Sequence, residues 1–147
     1  MQAATHGAIE EKWSPARWYL VASGIFLVVF ASLGFLYDSS FPTEAAEVRR
    51  ADPGYILGFA ETNGWHNLNG IISGLLALGF ALRPEWTRLG AFVKGSLYVA
   101  VTTSIAVWGP ETFLIESNAA DQLIHGSLAV AGIASALATP PRRRSSR

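Results

Sequence analysis

The 147-residue chain contains no cysteine, so disulfides, thiolate metal sites and thiol catalysis are excluded. Charge is scarce as well: Asp, Glu, Lys and Arg make up 15% of the residues, where about a quarter is usual in soluble domains. The chain also lacks a Gly-rich phosphate loop, an HExxH helix and a Ser-His-Asp order. Glu111 and Glu116 read as loop acids with no pocket to perturb them. A non-catalytic protein is therefore expected, with no nucleic-acid partner.

What the chain does have is apolar residues, half of the total, gathered into four blocks. They fall at Trp18–Leu36, Gly64–Leu82, Leu89–Trp108 and Ala119–Ala138 (18–36, 64–82, 89–108 and 119–138). Each is close to the roughly 20 residues needed to cross a hydrocarbon core about 30 Å thick. Tyr19–Leu36 carries no polar stripe, which a helix of a soluble bundle would show. The expected fold is all-α, a single membrane domain of four transmembrane helices. The first block is longer than a signal h-region and has no small-x-small cleavage site before polar sequence. It reads as a retained span.

Net charge is zero but unevenly spread. The amino-terminal segment, the Arg83–Lys94 turn and the carboxyl tail hold Lys12, Arg17, Arg83, Arg88, Lys94, Arg142, Arg143, Arg144 and Arg147. The two loops after the first and third blocks hold only Arg49 and Arg50 among Asp38, Glu44, Glu47, Asp52, Glu61, Glu111, Glu116 and Asp121. The positive-inside rule puts both termini in the cytoplasm and both acidic loops outside. Trp18, Tyr19 and Trp86 fall at the inner interface of this layout, and Tyr37, Trp65 and Trp108 at the outer one.

Local signals mark the ends. Ser14-Pro15 offers a capping hydroxyl before a first-turn proline, and Thr139-Pro140-Pro141 stops the last helix. In the loop from Tyr37 to Asn63, Thr43–Arg50 suits a short exposed helix, Asp52-Pro53-Gly54 a turn, and Tyr55–Phe59 an apolar segment lying back on the outer surface. Residues 1–13 and 139–147 are tails; 1–13 and Arg142–Arg147 have no core to join, and disorder or lipid-headgroup binding is expected of them. The Arg142–Arg144 run reads as a lipid anchor or as a dock for an acidic partner.

One internal echo stands out. Glu61–Leu82 and Glu116–Leu137 are identical at the aligned pairs 61/116, 63/118, 68/123, 81/136 and 82/137, with Thr62/Ser117 and Asn67/Gln122 as close exchanges. Phe41-Pro42-Thr43-Glu44 and Gly109-Pro110-Glu111-Thr112 echo more weakly after the first and third blocks. A 2+2 repeat of one membrane hairpin follows, both copies running in the same sense, related by an axis along the bilayer normal.

The pattern Leu57-Gly58-Phe59, then Asn63-Gly64-Trp65-His66-Asn67, Gly74, and Asn118-Ala119-Ala120-Asp121-Gln122-Leu123-Ile124-His125 resembles the bacterial four-helix membrane family known as domain of unknown function 4383. Gly24–Val29 and Leu33-Gly34-Phe35 extend the resemblance, which covers about residues 18 to 138. It implies a multi-pass protein of the bacterial plasma (inner) membrane and no established activity. In that family a second His tends to follow four positions after His66, where this chain has Gly70, and an Asn follows the aspartate, where it has Gln122.

The ionisable groups at the head of the second and fourth blocks are the candidates for chemistry. Asp121 and His125, spaced i, i+4, share a face, and His66 opens the second block at similar depth. Convergence of the three would suit a metal ion, haem ligation by His66 or His125, or a proton relay. The competing structural reading makes Asn63 and Asn118 helix N-caps, bonds Asp121 to His125, and uses Asn67, Asn69 and Gln122 as interhelical glue. Gly70, Ser73 and Gly74, with Gly126, Ala129, Gly132 and Ala136, are expected to allow close helix packing. Lys94 is expected to snorkel its amine to the headgroups. The function expected is an accessory or scaffold subunit of a larger membrane complex, in contact with the lipid bilayer and with partner subunits. A metal- or haem-binding membrane protein and a small proton-coupled transporter or channel are the alternatives.

Overall fold

Ser14 and Pro15 begin the first helix as their chemistry dictates: the Ser14 hydroxyl accepts the Arg17 N–H, and the proline sits in the first turn where no N–H is needed. In the computed structural model, which describes residues 14–141, this helix is α1, Pro15–Gly34. It is followed by α2 (Ala45–Arg50), β1 (Gly54–Ile56), β2 (Ala60–Thr62), α3 (Gly64–Ala81), α4 (Thr87–Trp108) and α5 (Ala119–Ala138). Short 3-10 turns, Pro84–Trp86 and Pro110–Phe113, precede α4 and α5. The chain is mostly helical, and the four long helices lie within a few residues of the expected blocks. The amino-terminal segment 1–13 and residues 142–147, with Lys12 and the Arg142–Arg144 run, lie outside the described residues.

Two of the helices are long and apolar enough to cross a membrane: Pro15–Gly34, and α4 together with the turn before it, Pro84–Trp108. Helices α3 and α5 open on the polar runs His66-Asn67 and Asp121-Gln122, which make their first turns less apolar.

Neighbouring long helices in the chain run antiparallel, and α1 packs most closely on α3, as α4 does on α5. Both pairs close at a glycine. A Cβ on Gly24 would meet the Gly74 carbonyl at 3.0 Å and the Leu78 side chain, and one on Gly95 would meet the Ala129 carbonyl at 3.0 Å and Ile133. The interior positions of α1 (Ala16, Leu20, Ser23, Gly24, Leu27, Ala31, Gly34) recur every three or four residues. Most of them are small. Large apolar side chains point outward on all four helices, among them Ile25 and Val29 on α1, Leu75 and Leu76 on α3, Phe92 and Leu97 on α4, and Leu123 and Val130 on α5.

At the end where α1 begins and α5 stops, Thr139 ties the two helices by accepting the Ala16 N–H at 3.0 Å, and Arg88 donates to the Ala136 carbonyl at the end of α5. At the opposite end the loops form a cap. The expected short helix appears as α2, but Tyr55–Phe59 belongs to an antiparallel hairpin pairing Gly54 with Thr62 and Ile56 with Ala60, so the fold is not purely helical. The hairpin turns through Leu57 and Gly58, both at positive φ, with the Phe59 N–H donating to the Ile56 carbonyl. Burial alternates along β2, Ala60 and Thr62 facing the helices and Glu61 less buried between them.

Lys94 corrects an expectation. Its residue is only 6% exposed, and its amine does not extend outward but donates to the Ser23 hydroxyl at 2.9 Å, between the rings of Tyr19 and Tyr98. The neighbouring Gly95 packs against α5, so this stretch of α4 faces the interior and the long side chain must cross to α1.

Candidate functional site

The heads of α3 and α5 are built alike. Asn63 caps α3, its side-chain oxygen accepting the His66 N–H at 3.0 Å. Asn118 caps α5, accepting from Ala120 and Asp121, and the Asp121 carboxylate accepts the Asn118 N–H at 3.1 Å to complete a capping box. The amide ends of the two caps then cross over. Asn63 Nδ2 donates to the Leu114 carbonyl at 3.0 Å, and Asn118 Nδ2 donates to the Phe59 carbonyl at 2.8 Å. Each cap therefore holds the loop that leads into the other helix. The two acceptors are separated by the same 55 residues as the two caps.

Asn67 is 1% exposed and staples three segments. Its Oδ1 accepts the Thr62 hydroxyl at 2.6 Å, its Nδ2 donates to the Asp38 carbonyl at 2.9 Å, and its side chain fills the space that a Cβ on Gly34 would occupy. The indole of Trp65 donates to the Pro42 carbonyl and meets the Phe41 ring edge-on at 5.0 Å. Outside the helices, Arg49 and Glu111 form an exposed ion pair at 3.2 Å between the two loops, a contact of small energy.

Of the expected site residues, His66 and His125 come together, their rings 5.6 Å apart at a steep angle, with the Tyr98 ring 5.4 Å from His125. Asp121 lies one turn from His125, yet no bond joins them, because the carboxylate turns back to its cap. Nδ1 of each histidine is buried without a hydrogen-bond partner. Among the described residues no three His, Asp or Glu side chains group closely enough to hold one metal ion.

The other polar candidates divide. Asn69 is exposed and Gln122 bonds only Ser117, so neither joins two helices. Gly70, Gly74 and Gly132 do allow close packing, against Ala31, Val28 and Tyr19 respectively, while nothing lies within 4 Å of a Cβ on Gly126. Ser73 bonds the Tyr98 hydroxyl at 3.2 Å across α3 and α4.

Glu116, expected to be a loop acid with no pocket to perturb it, is instead buried. It is 5% exposed, one of its carboxylate oxygens has no partner, and burial together with the nearby acids Asp38 and Glu61 pushes its pKa up to about 7. Its type and loop position gave no sign of this, since burial comes from the hairpin folding over it.

The two histidines line a cavity of about 390 Å³ that runs along the seam between α3 and α4, floored by Leu27 and Ala31 of α1. Its walls are mostly apolar, including Phe26, Phe30, Leu76, Val93 and Leu97.

The family model for domain of unknown function 4383 matches residues 17–138, and the chain belongs to that family. No curated protein and no solved structure matches it.

Proposed function

We propose that this member of the 4383 family is a non-catalytic, four-span protein of the bacterial plasma membrane with both termini in the cytoplasm. The observation that carries the reading is the inverted distribution of side chains. Ser23, Asn63, Asn67, Lys94, Asp121 and His125 are buried, whereas Ile25, Leu33, Leu75, Leu82, Phe92, Leu97, Leu123 and Val130 are exposed. In water such a surface would be an aggregation liability, but in a hydrocarbon solvent it is the expected one. The polar heads of α3 and α5 sit under the cap, where the side-chain amides of Asn63, Asn67 and Asn118 donate to loop backbone instead of facing lipid. Alkaline carbonate washing tests this directly. Retention in the membrane pellet is expected, and release into the supernatant would remove the reading.

Two like hairpins, α1 with α3 and α4 with α5, make up the bundle. The reading is supported by the reciprocal Asn63 and Asn118 bonds and by the matching approach of Gly24 to α3 and Gly95 to α5.

Its work in the membrane is that of an accessory or scaffold subunit. The outward face of α5 favours this: Ser127, Ala131, Ala134 and Ala138 are exposed, and Gly126 has open space beside it, so another helix can approach its backbone closely. Purification in mild detergent should return a defined membrane-protein partner, displaced when Ala131 and Ala134 are both replaced by Phe. A lone, monodisperse chain in every detergent would count against it. Metal or haem binding by His66 and His125 is the second reading, favoured by their adjacency. Elemental analysis and an absorption spectrum of tag-free protein decide it.

A further inference from the structure

We infer that the seam between α3 and α4 is a binding site for a neutral, single-tailed lipid whose head carries a hydroxyl or carbonyl oxygen. The inference rests on the membrane reading above. Helices α3 and α4 meet more sparsely than either tight pair, and the cavity lies between them. Several of its lining residues, Ile72, Leu76, Val93, Leu97 and Phe113, are exposed on the outer surface. The cavity is therefore reached sideways, from the hydrocarbon, and not only from water.

Its two ends differ. From Phe80 and Gly90 up to Val101 the walls are mostly apolar, the Lys94 amine being taken by Ser23 and the Tyr98 hydroxyl paired with that of Ser73. Near the cap, His66, His125 and Asp121 join the lining. His125 is 92% buried by area, being 8% exposed, and its Nδ1 and that of His66 both lack a partner. A buried imidazole nitrogen left unbonded is costly, and a ligand oxygen or hydroxyl can relieve that cost. The apolar length suits a hydrocarbon tail, and the volume of about 390 Å³ sits within the range of small-molecule pockets. A carboxylate or phosphate head is disfavoured beside the buried Asp121, which lines that end of the cavity. A metal ion would need a third ligand that does not group there. A neutral oxygen-bearing head meets each of these conditions.

The test uses the full chain in phosphatidylcholine nanodiscs with a monoacylglycerol bearing a diazirine on its tail. Light-induced label should fall on Phe26, Leu76, Val93 and Leu97, and unlabelled monoolein should displace it while oleate does not. His125→Leu should weaken labelling about fivefold, the worth of one hydrogen bond. Leu76→Trp, at an exposed rim position that leaves the interior intact, should block entry and abolish it. Label spread equally over the outer faces of α5, or not displaced by monoolein, is bulk lipid and overturns the site. Displacement by oleate as well as monoolein overturns the neutral head, and a stoichiometric metal or haem on the two histidines overturns the lipid. Failure to enter nanodiscs would overturn the membrane reading and this inference together, whereas entry without displaceable label strikes only the lipid site.

Discussion

Asn67 on α3 and Gln122 on α5 occupy corresponding places after the two caps, yet they do unlike things. Asn67 is buried against Gly34, with both ends of its amide bonded. Gln122 reaches only the Ser117 hydroxyl, and its Oε1 is buried without a partner. The difference traces to the facing helix. Gly34 leaves a hole that an amide fills, whereas α4 carries the buried Ile105 at the point that corresponds to Gly34 when Gly24 and Gly95 are matched. One polar position has become a structural staple in the first hairpin and a dispensable group in the second. Like sequences at the heads of α3 and α5 fix the backbone cap of both helices, while the neighbouring helix decides what the side chain beyond the cap contributes.

The sharpest way to break this contrast is Gly34→Val, which drives a branched side chain into the Asn67 amide. We expect the largest loss, about 3 kcal/mol or more, read as a fall in the thermal midpoint in detergent. Asn67→Ala should follow at about 2–3 kcal/mol, because it strands the buried Thr62 hydroxyl and the Asp38 carbonyl. The caps should come next. Asn63→Ala and Asn118→Ala each cost about 1–2 kcal/mol, and the double variant should lose less than their sum, since each cap holds the loop of the other. Additive losses would deny the interlock. Gln122→Leu, by contrast, should be neutral or slightly stabilising, as it removes an unsatisfied oxygen.

The cap also carries a pH signature. Glu116 is shifted from an ordinary value of 4.5 to about 7, so the folded cap holds a proton there that the unfolded chain releases. Its contribution to stability is whole below about pH 4.5 and is lost as the pH rises through about 7. Glu116→Gln should flatten that limb of the stability profile and raise the midpoint at pH 8, measured by thermal unfolding at several pH values.

Much of this was legible in the chain. Ser14-Pro15, Asn63, Asn118 and Thr139-Pro140 set the helix ends by capping chemistry that is local, and the structure places them as those residues demand. The hairpin was not legible, because Leu57-Gly58 carries only half of the usual two-residue turn signal and its strands are three residues long. Lys94 and Asn69 depended on how each helix is rotated, which a block apolar nearly all round does not specify. Gly126 fell outside the packed face for the same reason. Glu116 owes its burial to a loop folding from far away in sequence.

The absence of native cysteine allows the central claim to be tested at single sites. Ser39→Cys and Thr112→Cys lie in the loops after α1 and α4 and Glu85→Cys in the turn before α4, all at exposed positions. In intact cells a membrane-impermeant maleimide should label the first two and reach the third only after the membrane is opened. Labelling of Glu85→Cys in intact cells, with the loop sites protected, would contradict the account.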